Sequence, residues 1–95
     1  MEDEFKVSAD VQVRYLLRRI GELSDIETSD AVNFELAKKM GHQIKGNADT
    51  FEFPNLTEMA RALEAKADQS DEAGVRDVVR NLLNSMRVHL KELAP

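Results

Sequence analysis

The chain contains no cysteine and no tryptophan. Without thiols, neither a disulfide framework nor a zinc–thiolate site can be built. Aromatic residues are sparse, one tyrosine and four phenylalanines, too few for the stacking platforms that single-stranded nucleic acid needs. Positive charge is in deficit as well: 13 Lys and Arg face 18 Asp and Glu, for a net charge of −5. Nucleic acids and anionic membranes both want a basic face, so neither is an expected partner. No apolar run approaches the roughly 20 residues needed to span a bilayer. The opening "MEDEFKVSAD" lacks the basic and apolar regions of a signal peptide. Cytoplasmic residence is the expectation.

What remains is enough for one small core. A hydrophobic fraction of 42% and a charged fraction of 33% over 95 residues fit a single globular domain, residues 1–95. The apolar pattern is helical throughout. Val13, Leu16, Leu17, Ile20 and Leu23 recur at the three-and-four spacing of an amphipathic helix. "SDIETSD" breaks that pattern, with Thr28 and Ser29 as the expected caps of a second helix. This helix carries Phe34, Ala37, Met40, Gly41, Ile44, Ala48 and Phe51 on one side, and Pro54 ends it. "NLTE" reads as an asparagine cap at Asn55 with Glu58 completing a capping-box variant. A third helix then buries Leu56, Met59, Ala60, Leu63 and Ala67. After a turn and cap in "DQSDE", a fourth buries Val75, Val78, Val79, Leu82, Met86, Leu90 and Leu93. No segment alternates with period two. Four such helices joined by short polar loops predict an all-α, antiparallel up-down-up-down four-helix bundle. The first eight residues read equally as a tail or as a short extra helix.

The stretch "GHQIKGNADTFEFP" places two glycines within a helical pattern, where each costs roughly 1 kcal/mol relative to alanine. On a helical wheel His42 lies roughly 140° from the mean apolar direction of its helix, on the solvent side. Glu35, Lys38, Lys39, Lys45, Gly46 and Asp49 share that exposed side. A neutral imidazole is a good nucleophile near neutral pH, and exposure lets a large partner reach it. Lys45, three residues on, offers positive charge to a phosphoryl group carried on the ring. Gly46 removes a side chain that would stand beside the ring, so a partner's active site can close over it. Gly41 falls near the buried face, where a missing side chain lets a neighbouring helix or ring approach. An exposed histidine alone is ordinary surface; the H-x-x-K-G constellation makes His42 the candidate site.

These residues carry a resemblance. "GHQIKGNADTFEFPNLTEMARALE" resembles the signature of the histidine phosphotransfer (HPt) domains of bacterial two-component phosphorelays. His42, Ile44, Lys45, Gly46, Asn47, Phe51, Leu56, Ala60, Leu63 and Glu64 fall on the family pattern, which covers about a quarter of the chain. The resemblance implies a phosphoryl carrier without kinase or ATP-binding regions. In it His42 is the phosphoacceptor, receiving phosphate from a receiver-domain aspartate or a kinase and passing it to another receiver. It also implies partner contacts through Gly46, Lys38, Lys39, Asp49 and Glu35, and a monomer. No cofactor or metal is expected on the chain itself, Mg²⁺ being expected on the partner receiver. Three positions depart from the family: Glu52 and Ala48 stand where glycine is common, and Asp49 where a small neutral residue is usual. Glu52 lies roughly 15 Å beyond His42 along the axis and bears on the turn after the helix. Asp49 either pairs with Lys45 at i,i+4 or discriminates among partners.

Rival readings have less support. A carboxylate-bridged metal bundle needs a glutamate three residues before a histidine on two helices, but Lys39 precedes His42 and Met86 precedes His89 at that spacing. His89 reads as a half-buried packing residue that complements a helix C-terminus. A complete kinase needs a glycine-rich nucleotide loop, which the sequence lacks. A phosphoacceptor module of a larger kinase and an inactive helical adaptor remain the alternatives.

Overall fold

The computed structural model describes residues 7–93; the expectation of a tail or extra helix falls largely on residues outside that range. Four helices follow one another: α1 (Ala9–Thr28), α2 (Phe34–Asn47), α3 (Asn55–Asp68) and α4 (Glu72–Leu93). α2 packs most closely on α3, and α4 contacts both α1 and α3. α2 runs antiparallel to both α1 and α3. On the α2–α3 seam Lys38 meets Asp68 and His42 meets Glu64, so a turn forward on one helix is a turn back on the other. On the α1–α2 seam Tyr15 meets Asn47 and Arg19 meets Gln43.

The core follows the apolar stripes. Leu16, Leu23, Ile44, Leu56, Leu63, Val75, Val79, Leu82 and Met86 are fully buried, all on faces legible from spacing. Leu17 is a correction: it was expected inside but is 53% exposed. The buried stripe of α1 instead runs through Tyr15, Leu16, Arg19, Leu23 and Ile26. Ile26, three residues past Leu23, extends the same face through "SDIET", which is why α1 reaches Thr28. Thr28 and Ser29 therefore do not cap α2; Asn33 does, its side chain accepting from the Leu36 N–H at 3.0 Å.

The connection after α2 also differs from expectation. Regular helix stops at Asn47, short of Phe51. The chain then closes in a Schellman motif, with Phe53 N–H donating to Ala48 O at 2.8 Å and Glu52 N–H to Asp49 O at 2.9 Å. That motif needs a left-handed residue, and Glu52 takes it with φ of 68°. Here lies a physical reason for glycine being common at this position in similar sequences. The turn buries Phe53 to 3% exposure. Asn55 does not cap α3. Pro54 occupies the cap position without a side-chain bond, and tight turns from Leu56 and Thr57 to Phe53 and Pro54 use the first N–H groups. Asn55 instead reaches α4, donating to Ser85 Oγ at 3.0 Å and lying 3.0 Å from His89 Nε2. His89 is half-buried, with its ring 4.7 Å from that of Phe53. The cap expected in "DQSDE" is Asp71, whose carboxylate accepts from Gly74 N–H at 2.9 Å.

Candidate functional site

α2 is held from two sides, and this fixes the direction of its exposed face. Toward α3 the spacing is set by Gly41. A Cβ there would lie 2.8 Å from the Ala60 carbonyl oxygen and 2.9 Å from the Glu64 nitrogen. Both are backbone atoms of α3, so any side chain at 41 would push the helices apart. Toward α1 the clamp is polar and aromatic. Tyr15 donates to Asn47 Oδ1 at 2.7 Å and stacks on Phe51 at 4.2 Å. Arg19, buried against the Tyr15 ring, bonds Glu22 at 2.7 Å and Gln43 at 3.2 Å. Burial pushes the Tyr15 hydroxyl above its ordinary pKa, an effect that the Arg19 charge opposes.

On the helix so held, His42 presents a side chain that is 72% exposed. Its Nδ1 lies 3.3 Å from Glu64 Oε2. The other carboxylate oxygen, Oε1, accepts from Lys45 Nζ at 2.6 Å. Glu64 thus bridges the histidine and the lysine from the neighbouring helix, and its own side chain is only 18% exposed. The hydrogen bond from Lys45 holds this carboxyl below its usual range, with the His42 contact adding to the effect. An ionised carboxylate only accepts hydrogen bonds. Nδ1 is therefore the nitrogen that carries hydrogen, and in the neutral ring Nε2 keeps its lone pair.

The remaining sequence-selected residues fall in two groups. Glu35, Lys38 and Lys39 join His42 and Glu64 around one shallow cleft on the N-terminal side of the histidine. Gly46 and Asp49 are exposed beyond it, on the C-terminal side. Nothing lies within 4 Å of a Cβ placed on Gly46, so no packing within the described residues demands a glycine there. Lys45 reaches across to Glu64 rather than along the helix to Asp49. Lys38 pairs with Asp68 at 2.7 Å, and that hydrogen bond raises its pKa. Among the described residues, no group of three or more histidines and carboxylates could hold a metal ion.

Glu64 is the residue that sequence reasoning left without a role. It falls on the family pattern, but its chemistry depends on the register of α3 against α2. The signal available was the antiparallel pairing itself, which sets a turn of α3 opposite each turn of α2.

An exposed imidazole beside a carboxylate, on a helix clamped by its neighbours, has the chemistry that a nucleophile needs. The model of the Hpt domain matches residues 4–93. The chain belongs to the Hpt domain family. No curated protein and no solved structure matches it. Hpt domains perform histidine phosphotransfer in phosphorelays, as carriers rather than kinases, and their partners are receiver domains and kinases. No helix among the described residues is long and apolar enough to cross a membrane.

Proposed function

We propose that this Hpt domain carries a phosphoryl group on His42 in a bacterial phosphorelay, between receiver aspartates or from a kinase to a receiver. The observation that carries the reading is the His42–Glu64 contact, which leaves Nε2 as the exposed nucleophilic nitrogen. The Nε2 lone pair attacks the phosphorus of an aspartyl phosphate. The N–P bond forms as the P–O bond breaks, and the departing electron pair restores the aspartate carboxylate. The ring gains positive charge, which Glu64 stabilises through Nδ1–H. Passage to a second receiver reverses these steps. Lys45 acts through Glu64, keeping it ionised and aimed. Gly46 supplies open space for the partner's active site, and Glu35, Lys38, Lys39 and Asp49 form the surrounding contact surface. The Mg²⁺ of the reaction belongs to the partner receiver. We place the domain, residues 1–95, in the cytoplasm as a monomer.

The test is phosphate transfer from a receiver charged with acetyl phosphate. Wild-type protein should acquire acid-labile phosphate, His42→Gln none, and His89→Gln the wild-type amount, all with unchanged helical circular dichroism. Gly46→Gln should keep or raise the melting temperature while transfer slows, because the added side chain meets only the partner. Phosphate persisting in His42→Gln overturns the assignment.

A further inference from the structure

Side chains on an α-helix lean toward its N-terminus, so each residue covers the turn before its own Cα. His42 accordingly shares a cleft with Glu35, Lys38, Lys39 and Glu64, on the N-terminal side of the ring. Lys45 does not line that cleft. Its stem leans back toward His42 and ends on Glu64, 2.6 Å away. Nδ1 faces the same carboxylate, so a phosphoryl group on Nε2 stands at the opposite edge of the ring, where the Glu64 charge repels it least.

Two cations line this cleft. Lys38 is held by Asp68 across the α2–α3 seam at 2.7 Å. Lys39 is exposed and makes no ion pair among the described residues, not even with Glu35 one turn below. It also lines the groove between α1 and α2, where the carboxylates are Glu22, paired with Arg18 and Arg19, and Asp25; neither makes an ion pair with Lys39 among the described residues. An ammonium three residues before the histidine is a helical neighbour within side-chain reach of the ring.

We propose that Lys39, rather than Lys45, is the cation that binds the phosphoryl group carried by His42, and that this group lies over the turn preceding the histidine. This rests on His42 being the phosphate carrier. Lys39 then offsets the added charge of the phosphohistidine, with no partner present, while Lys45 remains on Glu64.

Phosphorus-31 NMR titration of the phosphorylated protein reads this directly. A phosphoryl group's second ionisation falls near pH 6 and is lowered by an adjacent cation. Lys39→Gln should raise that midpoint, Lys39→Arg should restore it, and Lys45→Gln should leave it near wild type. Transfer from a charged receiver should slow by roughly two- to fivefold in Lys39→Gln, the size expected of one exposed charge acting on a phosphoryl dianion. Slower transfer with an unmoved midpoint would make Lys39 a partner contact only and overturn the inference. A midpoint moved by Lys45→Gln and not by Lys39→Gln would overturn it as well. If wild-type protein takes up no phosphate on His42, the carrier reading falls first, and that result is distinct from both.

Discussion

Glu64 shows how one side chain can tie stability to the site. Its carboxyl is held below its usual value of 4.5 by the hydrogen bond from Lys45. The folded protein therefore binds this proton less readily than the unfolded chain does. The stabilisation is complete above about pH 4.5 and is lost as pH falls through the lowered folded-state value. Glu64→Gln removes the titration. The gap in melting temperature between wild type and Glu64→Gln should be open at pH 7 and narrow in acid below about pH 4.5; thermal melts across pH 2.5–7 check it, and a constant gap contradicts it. His42 was legible from the sequence because exposure follows from its angle on one helix, a local property. The role of Glu64 was not, because it depends on which turn of α3 faces which turn of α2. The same distinction applies to Arg19. Its position on α1 looks like surface by charge, yet it is buried at 8% exposure against Tyr15 and Gln43.

At the scale of elements, most helix faces were readable and most helix ends were not. Spacing identifies a stripe such as Val75, Val79, Leu82 and Met86 because burial recurs every turn. Ends are decided by competition among nearby hydrogen-bond partners, and several solutions here are non-local. The end of α1 is finished by Arg76 of α4, whose guanidinium donates to the carbonyls of Glu27, Ser29 and Asp30 at 3.1–3.2 Å. The α3–α4 turn is a second Schellman closure, with Asp71 N–H donating to Lys66 O at 3.0 Å and Ser70 N–H to Ala67 O at 3.0 Å. Its left-handed residue is Ser70, with φ of 52°. A non-glycine residue pays about 1–2 kcal/mol in that region, and glycine returns about 0.4–1 kcal/mol of it through its freer unfolded chain. Ser70→Gly should therefore stabilise the domain by roughly 0.5–1 kcal/mol, raising the melting temperature by about 2–8 °C for a chain of this size. Glu52→Gly should gain less, because Glu52 Oε2 also accepts from the Val7 N–H at 3.3 Å. Calorimetry of the two variants checks both the sign and the order. A destabilised Ser70→Gly would mean that the turn does not hold this strain.

For the whole molecule, an elongated bundle of 44 × 26 × 16 Å presents an exposed histidine on one helix face, and the proposed function leaves the electrophile and its activation to the partner. The described residues bring no three metal-binding side chains together, and the core is made of apolar side chains from the four helices and from the turn after α2. Folding therefore draws on apolar burial and on the Gly41 contact between α2 and α3, neither of which a chelator touches. On the proposed reading the phosphorylated histidine draws on Glu64 and on the lysines of α2, again without a metal ion. Transfer is different. An aspartyl phosphate places several anionic oxygens together, and the Mg²⁺ we propose on the receiver would offset them as the P–O bond breaks. Excess chelator should thus leave the melting temperature and the lifetime of isolated phosphohistidine protein unchanged, while stopping phosphate exchange with a receiver. Restoring Mg²⁺ should restart exchange with no refolding step. Three measurements on one sample check this: a thermal melt, the decay of acid-labile phosphate without partner, and its exchange with partner. A melting temperature that falls in chelator would place a structural cation on this chain, and undiminished exchange would remove Mg²⁺ from the receiver's share of the chemistry.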